Sequence, residues 1–188
     1  LQFAKKGNEI LASVFQDLDP EMNYADVAEF SGALKSNLEN AVKELEGDGG
    51  NLEFSSRVQA VCDWYGPTDF LKMNTQATIK GPIDHDSAKS PESLLIGGAI
   101  QDNKEKTDKA SPLKYVSKDD APFLIMHGDK DNLVPFAQSE MLHEALKKVG
   151  VESTLIIVPD VGHSPLVGAG ENGKKIVTFF EKHLKPKK

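Results

Sequence analysis

From about residue 54 onward, the chain alternates short apolar runs with segments of helical periodicity, and this alternation limits the possible folds more than any other feature. The runs are largely apolar throughout, which is typical of parallel strands covered on both faces. The pattern therefore predicts an α/β fold with a parallel sheet and flanking helices. The predicted strands are Val58–Trp64, Pro122–Met126 and Thr154–Val158, and the predicted helices include Phe136–Val149 and Gly173–Leu184. In the last helix, the residues predicted to face the sheet are Ile176, Val177, Phe180 and Leu184.

The first part of the chain has a different character. Apolar residues recur there at spacings of three and four, which predicts amphipathic helices over residues 1–47. Three glycines, Gly47, Gly49 and Gly50, end the pattern. We therefore predict two parts, a helical N-terminal segment over residues 1–50 and an α/β portion over residues 51–188.

Functional groups of parallel α/β sheets gather on loops at the carboxyl ends of the strands. Two such loops carry an acid and a base, Asp131 after the second predicted strand and His163 after the third. Adjacent parallel strands lie about 4.8 Å apart, so the two loops should be neighbours. The Asp131 carboxylate can then reach one ring nitrogen of His163, fix its tautomer and stabilise the imidazolium that forms when the other nitrogen takes a proton.

Several segments, in this order, resemble the α/β-hydrolase esterases of the lipase and carbohydrate-esterase type and, more distantly, prolyl-oligopeptidase-like peptidases. The resemblance implies the C-terminal part of an α/β-hydrolase fold acting on a small-molecule carboxylic ester, with Asp131 as triad acid and His163 as triad base. It also implies that residues near Trp64 and Tyr65 line or support the pocket. The matching segments are Ala60–Asp69, Ser90–Gly98, Ala110–Leu113, Pro122–Pro135 and Gly162-His163.

The chain departs from this family at the nucleophile. A family member carries Gly-x-Ser-x-Gly on a tight strand–helix turn, and no such motif occurs here. The nearest segment places Ser31 between Glu29 and Ala33 within a helical pattern, which does not favour a nucleophile. The sequence therefore predicts a serine esterase that is incomplete or inactive as this chain alone. Two alternatives stay open: a non-catalytic hydrolase-like fragment that associates with itself or a partner through an exposed sheet edge, and a prolyl-oligopeptidase-like peptidase.

Other classes of function are disfavoured. The net charge of −7 argues against a nucleic-acid-binding surface. No apolar run is long enough to span a bilayer. The single cysteine, Cys62, is predicted to be a buried inert thiol, and His127 a packing and hydrogen-bonding residue. Asp84-His85-Asp86 is predicted to be a solvated loop, and we predict neither a metal nor a cofactor site.

Overall fold

A computed structural model describes residues 57–184. They form a parallel three-stranded sheet in the order β1-β2-β3, as the alternation predicted. The strands are β1 (Val61–Trp64), β2 (Phe123–Gly128) and β3 (Ser153–Val158). The helices are α1 (Met73–Gln76), α2 (Pro91–Ile96), α3 (Lys104–Ala110), α4 (Ala137–Lys148) and α5 (Glu171–Leu184). Short 3₁₀ turns lie at Phe70–Lys72, Ile100–Asp102, Pro112–Tyr115 and Pro165–Gly168.

The predicted N-terminal helices, Ser31 and the proposed boundary near residue 50 lie outside the described residues. Within residues 57–184, no helix is both long enough and apolar enough to cross a membrane.

Strand β2 is the centre of the fold, and all six of its residues are buried. Side chains alternate across a strand, so Phe123 and Ile125 face one side of the sheet while Leu124 and Met126 face the other. The first pair packs with Leu142 and Leu146 of α4. The second pair packs in a cluster that includes Phe179 of α5. The two helices therefore cover opposite faces of the sheet, which explains why β2 is apolar throughout.

Helix α5 is rotated relative to the sequence-based expectation. Val177 and Leu184 were predicted to face the sheet, but they are 58% and 52% exposed. Phe179 is the buried residue of this helix, at 9% exposure. The stripe that packs inward contains Ile176, Phe179 and Phe180, at i, i+3 and i+4. Apolar spacing predicted the helix and the inward positions of Ile176 and Phe180 correctly, but Val177 and Leu184 were wrong because several overlapping stripes satisfy the same spacing.

The connection from β1 to β2 holds three short helices and an extended stretch. Helix α2 begins where the Ser90 Oγ accepts a hydrogen bond from the Ser93 backbone N–H, and it ends at Gly97 in the left-handed conformation. Before it, from Ile79 to His85, odd-numbered residues are partly or fully buried and even-numbered ones are exposed. This alternation brings His85 against the underside of the loop that follows β2.

Candidate active site

The structure brings the two predicted site residues into contact. The Nδ1 atom of His163 lies 2.8 Å from Oδ2 of Asp131. An ionised carboxylate can only accept hydrogen bonds, so Nδ1 carries the proton and donates it. Among residues 57–184 this is the only hydrogen bond of the His163 ring, which leaves Nε2 as the nitrogen able to take a proton from another group. The His163 side chain is 16% exposed.

The Asp131 carboxylate, on a residue only 5% exposed, is surrounded by donors. Its Oδ1 accepts hydrogen bonds from the backbone N–H groups of Leu133 and Val134, both at 2.8 Å. Its Oδ2 lies near His163 and also 3.2 Å from Nε2 of His127. Burial by itself would raise the pKa of Asp131, but the hydrogen bonds from His127, His163 and Val134 hold that pKa well below its ordinary value. Asp131 is therefore a permanent anion across the physiological pH range.

Tyr65 holds the other side of the His163 ring. The centroids of the two rings are 4.1 Å apart and their planes are inclined by 48°. Tyr65 follows β1 directly and has a φ of +46°, a left-handed conformation that bulky residues rarely adopt. Such a conformation costs about 1–3 kcal/mol and persists only where the surroundings impose it. In this conformation the Tyr65 ring packs against the His163 imidazole.

The loops bearing Asp131 and His163 are joined by their backbones. The Lys130 N–H donates to the Val161 carbonyl at 2.9 Å. Gly128, the last residue of β2, lies directly beneath this second loop. A Cβ at position 128 would stand 2.1 Å from the Val161 carbonyl oxygen, closer than any real contact. A glycine is therefore required at position 128 for the two loops to approach each other.

His127 has a larger part in the site than its sequence position suggested. It is fully buried at the end of β2, as expected for a packing and hydrogen-bonding residue. Its Nδ1 lies 2.7 Å from the Ser139 hydroxyl, and its Nε2 lies 2.9 Å from the Val134 carbonyl oxygen. The contact with Asp131 was not predicted. The only hint in the sequence is that both residues belong to one tight turn, four positions apart.

The segment Asp84-His85-Asp86 corrects a second expectation. Asp84 is exposed, but His85 is buried rather than solvated. Its Nδ1 lies 2.9 Å from Oε1 of Glu92, and its Nε2 lies 3.0 Å from the Leu133 carbonyl oxygen. Burial would lower the pKa of His85, but the carboxylate of Glu92 outweighs burial and raises it. His85 thus supports the loop whose N–H groups bind Asp131.

A small pocket of about 20 Å³ lies between His85 and the Asp131 loop, lined also by Gly81. This volume is sufficient for about one water molecule. Gly81 is close to the loop, because a Cβ there would stand 1.8 Å from the Asn132 carbonyl oxygen.

A second buried aspartate, Asp63, lies on β1 and is 3% exposed. Neither of its carboxylate oxygens has a hydrogen-bond partner among the described residues. Burial raises the pKa of Asp63 to about 7, and the nearby backbone amide of Gly66 offsets part of this shift without forming a hydrogen bond of normal geometry. Asp63 is therefore largely protonated under mildly acidic conditions.

Cys62 is half-buried and carries no reactive thiolate. Burial raises the pKa of its thiol to about 11, so the nucleophilic form is scarce at neutral pH. Among residues 57–184, no cluster of three or more histidine, cysteine or acidic side chains could hold a metal ion.

Comparison with known proteins identifies the family of this chain. The sequence model of the BD-FAE family matches residues 25–146, which is more than half of the chain. The peptidase YuxL of Bacillus subtilis, itself uncharacterized, is 37% identical over 86 residues, covering 43% of this chain and 13% of YuxL. The esterase LipQ of Mycobacterium tuberculosis is 31% identical over 93 residues, covering 50% of this chain and 20% of LipQ.

Among solved structures, a truncated carbohydrate esterase from gut microbiota has a TM-score of 0.73 and is 32% identical, covering 83% of this chain and 56% of the esterase. The neighbours in structure are α/β-hydrolases, which confirms the predicted fold class. The chain spans a fifth or less of the length of the two relatives named above.

Proposed function

Because this chain belongs to the BD-FAE family of α/β-hydrolases, we propose that it acts in carboxylic-ester hydrolysis by a serine triad, with Asp131 as acid and His163 as base. The observation that carries the proposal is the 2.8 Å contact between His163 Nδ1 and Asp131 Oδ2. This contact favours the tautomer in which Nε2 is unprotonated and able to accept a proton. The similarity to an esterase and to a carbohydrate esterase supports an ester as substrate.

In this mechanism the serine hydroxyl gives its proton to Nε2 of His163 while its oxygen bonds to the ester carbonyl carbon. The imidazolium is stabilised by the Asp131 anion and then protonates the departing alcohol, which leaves an acyl-enzyme. Water repeats the sequence, with His163 again as base, and releases the acid. Asp131 can serve throughout because its hydrogen bonds keep it ionised.

The proposal puts the attacking serine outside residues 57–184, because no hydroxyl in that range hydrogen-bonds to His163. We further propose that the 188-residue chain is inactive by itself, since its sequence holds no Gly-x-Ser-x-Gly.

Labelling with a fluorophosphonate tests the triad. The protein made from the whole reading frame that encodes this chain should take up one fluorophosphonate, on a serine outside residues 57–184. His163→Gln should abolish labelling, and Asp131→Asn should slow ester hydrolysis by about 10³–10⁴-fold. His143→Gln is the matched control, because the hydrogen-bond partner of His143 is Ser153 and not Asp131 or His163. This variant should label like the wild type.

Two results would contradict the triad: no labelling of the wild-type protein, or labelling that survives His163→Gln. An adduct on Ser31 in the isolated chain would contradict only its proposed inactivity. Because the relative YuxL is named a peptidase, parallel assays should compare p-nitrophenyl acetate with an aminoacyl p-nitroanilide. Preferential cleavage of the anilide would replace the esterase proposal with a peptidase.

A second candidate function is association through the sheet edge. Within residues 57–184, β1 pairs only with β2, so its outer edge carries backbone groups with no strand beside them. This edge supports self-association or the binding of a partner strand. Sedimentation velocity of the chain should then show a dimer or larger species, and a clean monomer over a wide concentration range would exclude self-association.

A further inference from the structure

We propose that His127 is a positioning residue that holds the Asp131 carboxylate in place for His163, and that Ser139 fixes the tautomer in which His127 does so. The inference rests on the proposed roles of Asp131 and His163 and adds to them a chain of contacts running from helix α4 through strand β2 to the acid. It assigns a task to a buried histidine that the triad mechanism leaves unused.

The protonation of His127 follows from its partners. The Val134 carbonyl oxygen, 2.9 Å from Nε2, can only accept, so Nε2 carries a hydrogen. In the neutral ring Nδ1 is then an acceptor, and the Ser139 hydroxyl at 2.7 Å is the donor. The same nitrogen lies 3.2 Å from Asp131 Oδ2, so the carboxylate also faces this N–H group. All three contacts are satisfied by a single tautomer.

This arrangement fixes the orientation of the carboxylate. Oδ2 of Asp131 accepts a hydrogen bond from Nδ1 of His163 and also lies 3.2 Å from Nε2 of His127. Oδ1 is held by the N–H groups of Leu133 and Val134. Val134 thus donates to Asp131 and accepts from His127, and the 3.2 Å approach of His127 Nε2 to Oδ2 completes a small ring of contacts. Because His127 belongs to β2, this ring connects the acid to the buried central strand.

The charge of Asp131 depends on the same contact. Burial opposes ionisation, and the hydrogen bond from His127 is one of those that lower the pKa of Asp131 in spite of it. A variant without a donor at position 127 should leave Oδ2 with His163 as its remaining partner. The carboxylate would then be more basic and less firmly oriented.

The test uses NMR on the 188-residue chain and needs no catalysis. In the wild type, the ¹³C signal of the Asp131 carboxyl should show an anion at every pH at which the protein is folded, and the ¹⁵N shifts of His163 should show one tautomer with Nδ1 protonated. In His127→Leu the pKa of Asp131 should rise by about one pH unit or more, and His163 should exchange between tautomers. His127→Gln keeps an N–H donor near the position of Nε2. It should return the pKa of Asp131 and the single tautomer of His163 close to those of the wild type.

His143→Leu is the matched control, because His143 Nδ1 lies 2.9 Å from the Ser153 hydroxyl in a second His–Ser pair that does not contact Asp131. It should leave the Asp131 and His163 signals unchanged. If His127→Leu does not fold, the smaller change Ser139→Ala tests the same inference. It should raise the pKa of Asp131 in the same direction but by less than His127→Leu. Signals of Asp131 and His163 that match the wild type in both Ser139→Ala and a folded position-127 variant would overturn the inference. Failure of fluorophosphonate labelling would instead count against the ester-hydrolase proposal and leave this result unaffected.

Discussion

Asp63 and Asp131 are both buried aspartates of this sheet, and they differ in almost every property that matters for chemistry. They are 3% and 5% exposed. Asp131 has donors on both oxygens, and its pKa lies below the ordinary value. Asp63 has no hydrogen-bond partner among the described residues, and its pKa is raised to about 7. Burial is therefore common to both, and the surrounding donors decide which carboxylate stays charged.

The comparison shows how the fold selects its acid. The loop after β2 turns tightly, so the backbone N–H groups of Leu133 and Val134 point at Asp131. Asp63 lies within strand β1, where the backbone N–H groups serve the sheet. Glu92 lies between the two aspartates in the number of partnered oxygens. One of its oxygens contacts His85, and the other has no partner among the described residues. Removing each of the three carboxylates tests whether its effect on stability follows its hydrogen-bond partners.

The largest effect is expected from Asp131→Ala. It leaves two backbone donors and His163 without their acceptor, so the free energy of unfolding at pH 7 should fall by about 3–5 kcal/mol. The pKa of Asp131 is lowered in the folded state, so its contribution to stability is complete above the ordinary aspartate pKa of about 4. It declines as the pH falls from there toward the lower folded-state pKa. Urea unfolding at pH 7 measures the cost of the substitution, and the same measurement at pH 3.5 shows whether that cost declines in acid.

The control for this variant is Asp108→Ala, at an exposed position of α3, which should change the unfolding free energy by no more than about 0.5 kcal/mol. A cost for Asp131→Ala below about 1 kcal/mol, or one that does not diminish in acid, would remove the distinction between Asp131 and Asp63.

Asp63→Asn should have the next largest effect, with the opposite sign. The folded-state pKa of Asp63 is raised from 3.8 to about 7, so the wild-type protein loses stability as the pH rises through this interval. Asparagine does not titrate. The unfolding free energy of the variant relative to the wild type should therefore increase by about 2–3 kcal/mol between pH 5 and pH 8. The exposed substitution Asp119→Asn is the control, and equal pH profiles for Asp63→Asn and wild type would show that Asp63 has a partner after all.

The smallest effect is expected from Glu92→Gln. The pKa of His85 is raised in the folded state, so its ion pair with Glu92 contributes stability that is complete below the ordinary histidine pKa of about 6.5 and is lost as the pH rises through the higher value. The variant should cost about 1–2 kcal/mol at pH 6 and less at pH 9. Glu105→Gln on exposed α3 serves as the control. A cost that is the same at both pH values would indicate that His85 is neutral throughout.

Much of the fold was predictable because its determinants are local. Apolar runs and their bounding glycines and prolines predicted all three strands and helices α4 and α5, and the order of the strands placed Asp131 beside His163. Local sequence patterns do not predict which side chains of the loops contact each other. The contact of His127 with Asp131 depends on how one turn closes. Tyr65, whose ring meets His163, has an unusual positive φ that the sequence does not reveal.

The burial of His85 could have been predicted from the sequence. Two acidic neighbours suggested a solvated loop, but the buried positions from Ile79 to His85 alternate with exposed ones. Isoleucine, glycine, isoleucine and histidine at every second position are a period-two pattern, which indicates an extended segment with one face inward. The nature of the inward partner, a buried glutamate, depends on tertiary packing and could not be derived from that pattern.

The absence of a side chain at Gly128 has a consequence for mutational tolerance. The Val161 carbonyl occupies the space that even a methyl group at position 128 would need. Alanine there would push the histidine turn outward and separate imidazole from carboxylate, although every ionisable group would still be present. A saturation library scored by turnover would therefore rank this residue, which has no chemistry of its own, as intolerant as Asp131 and His163.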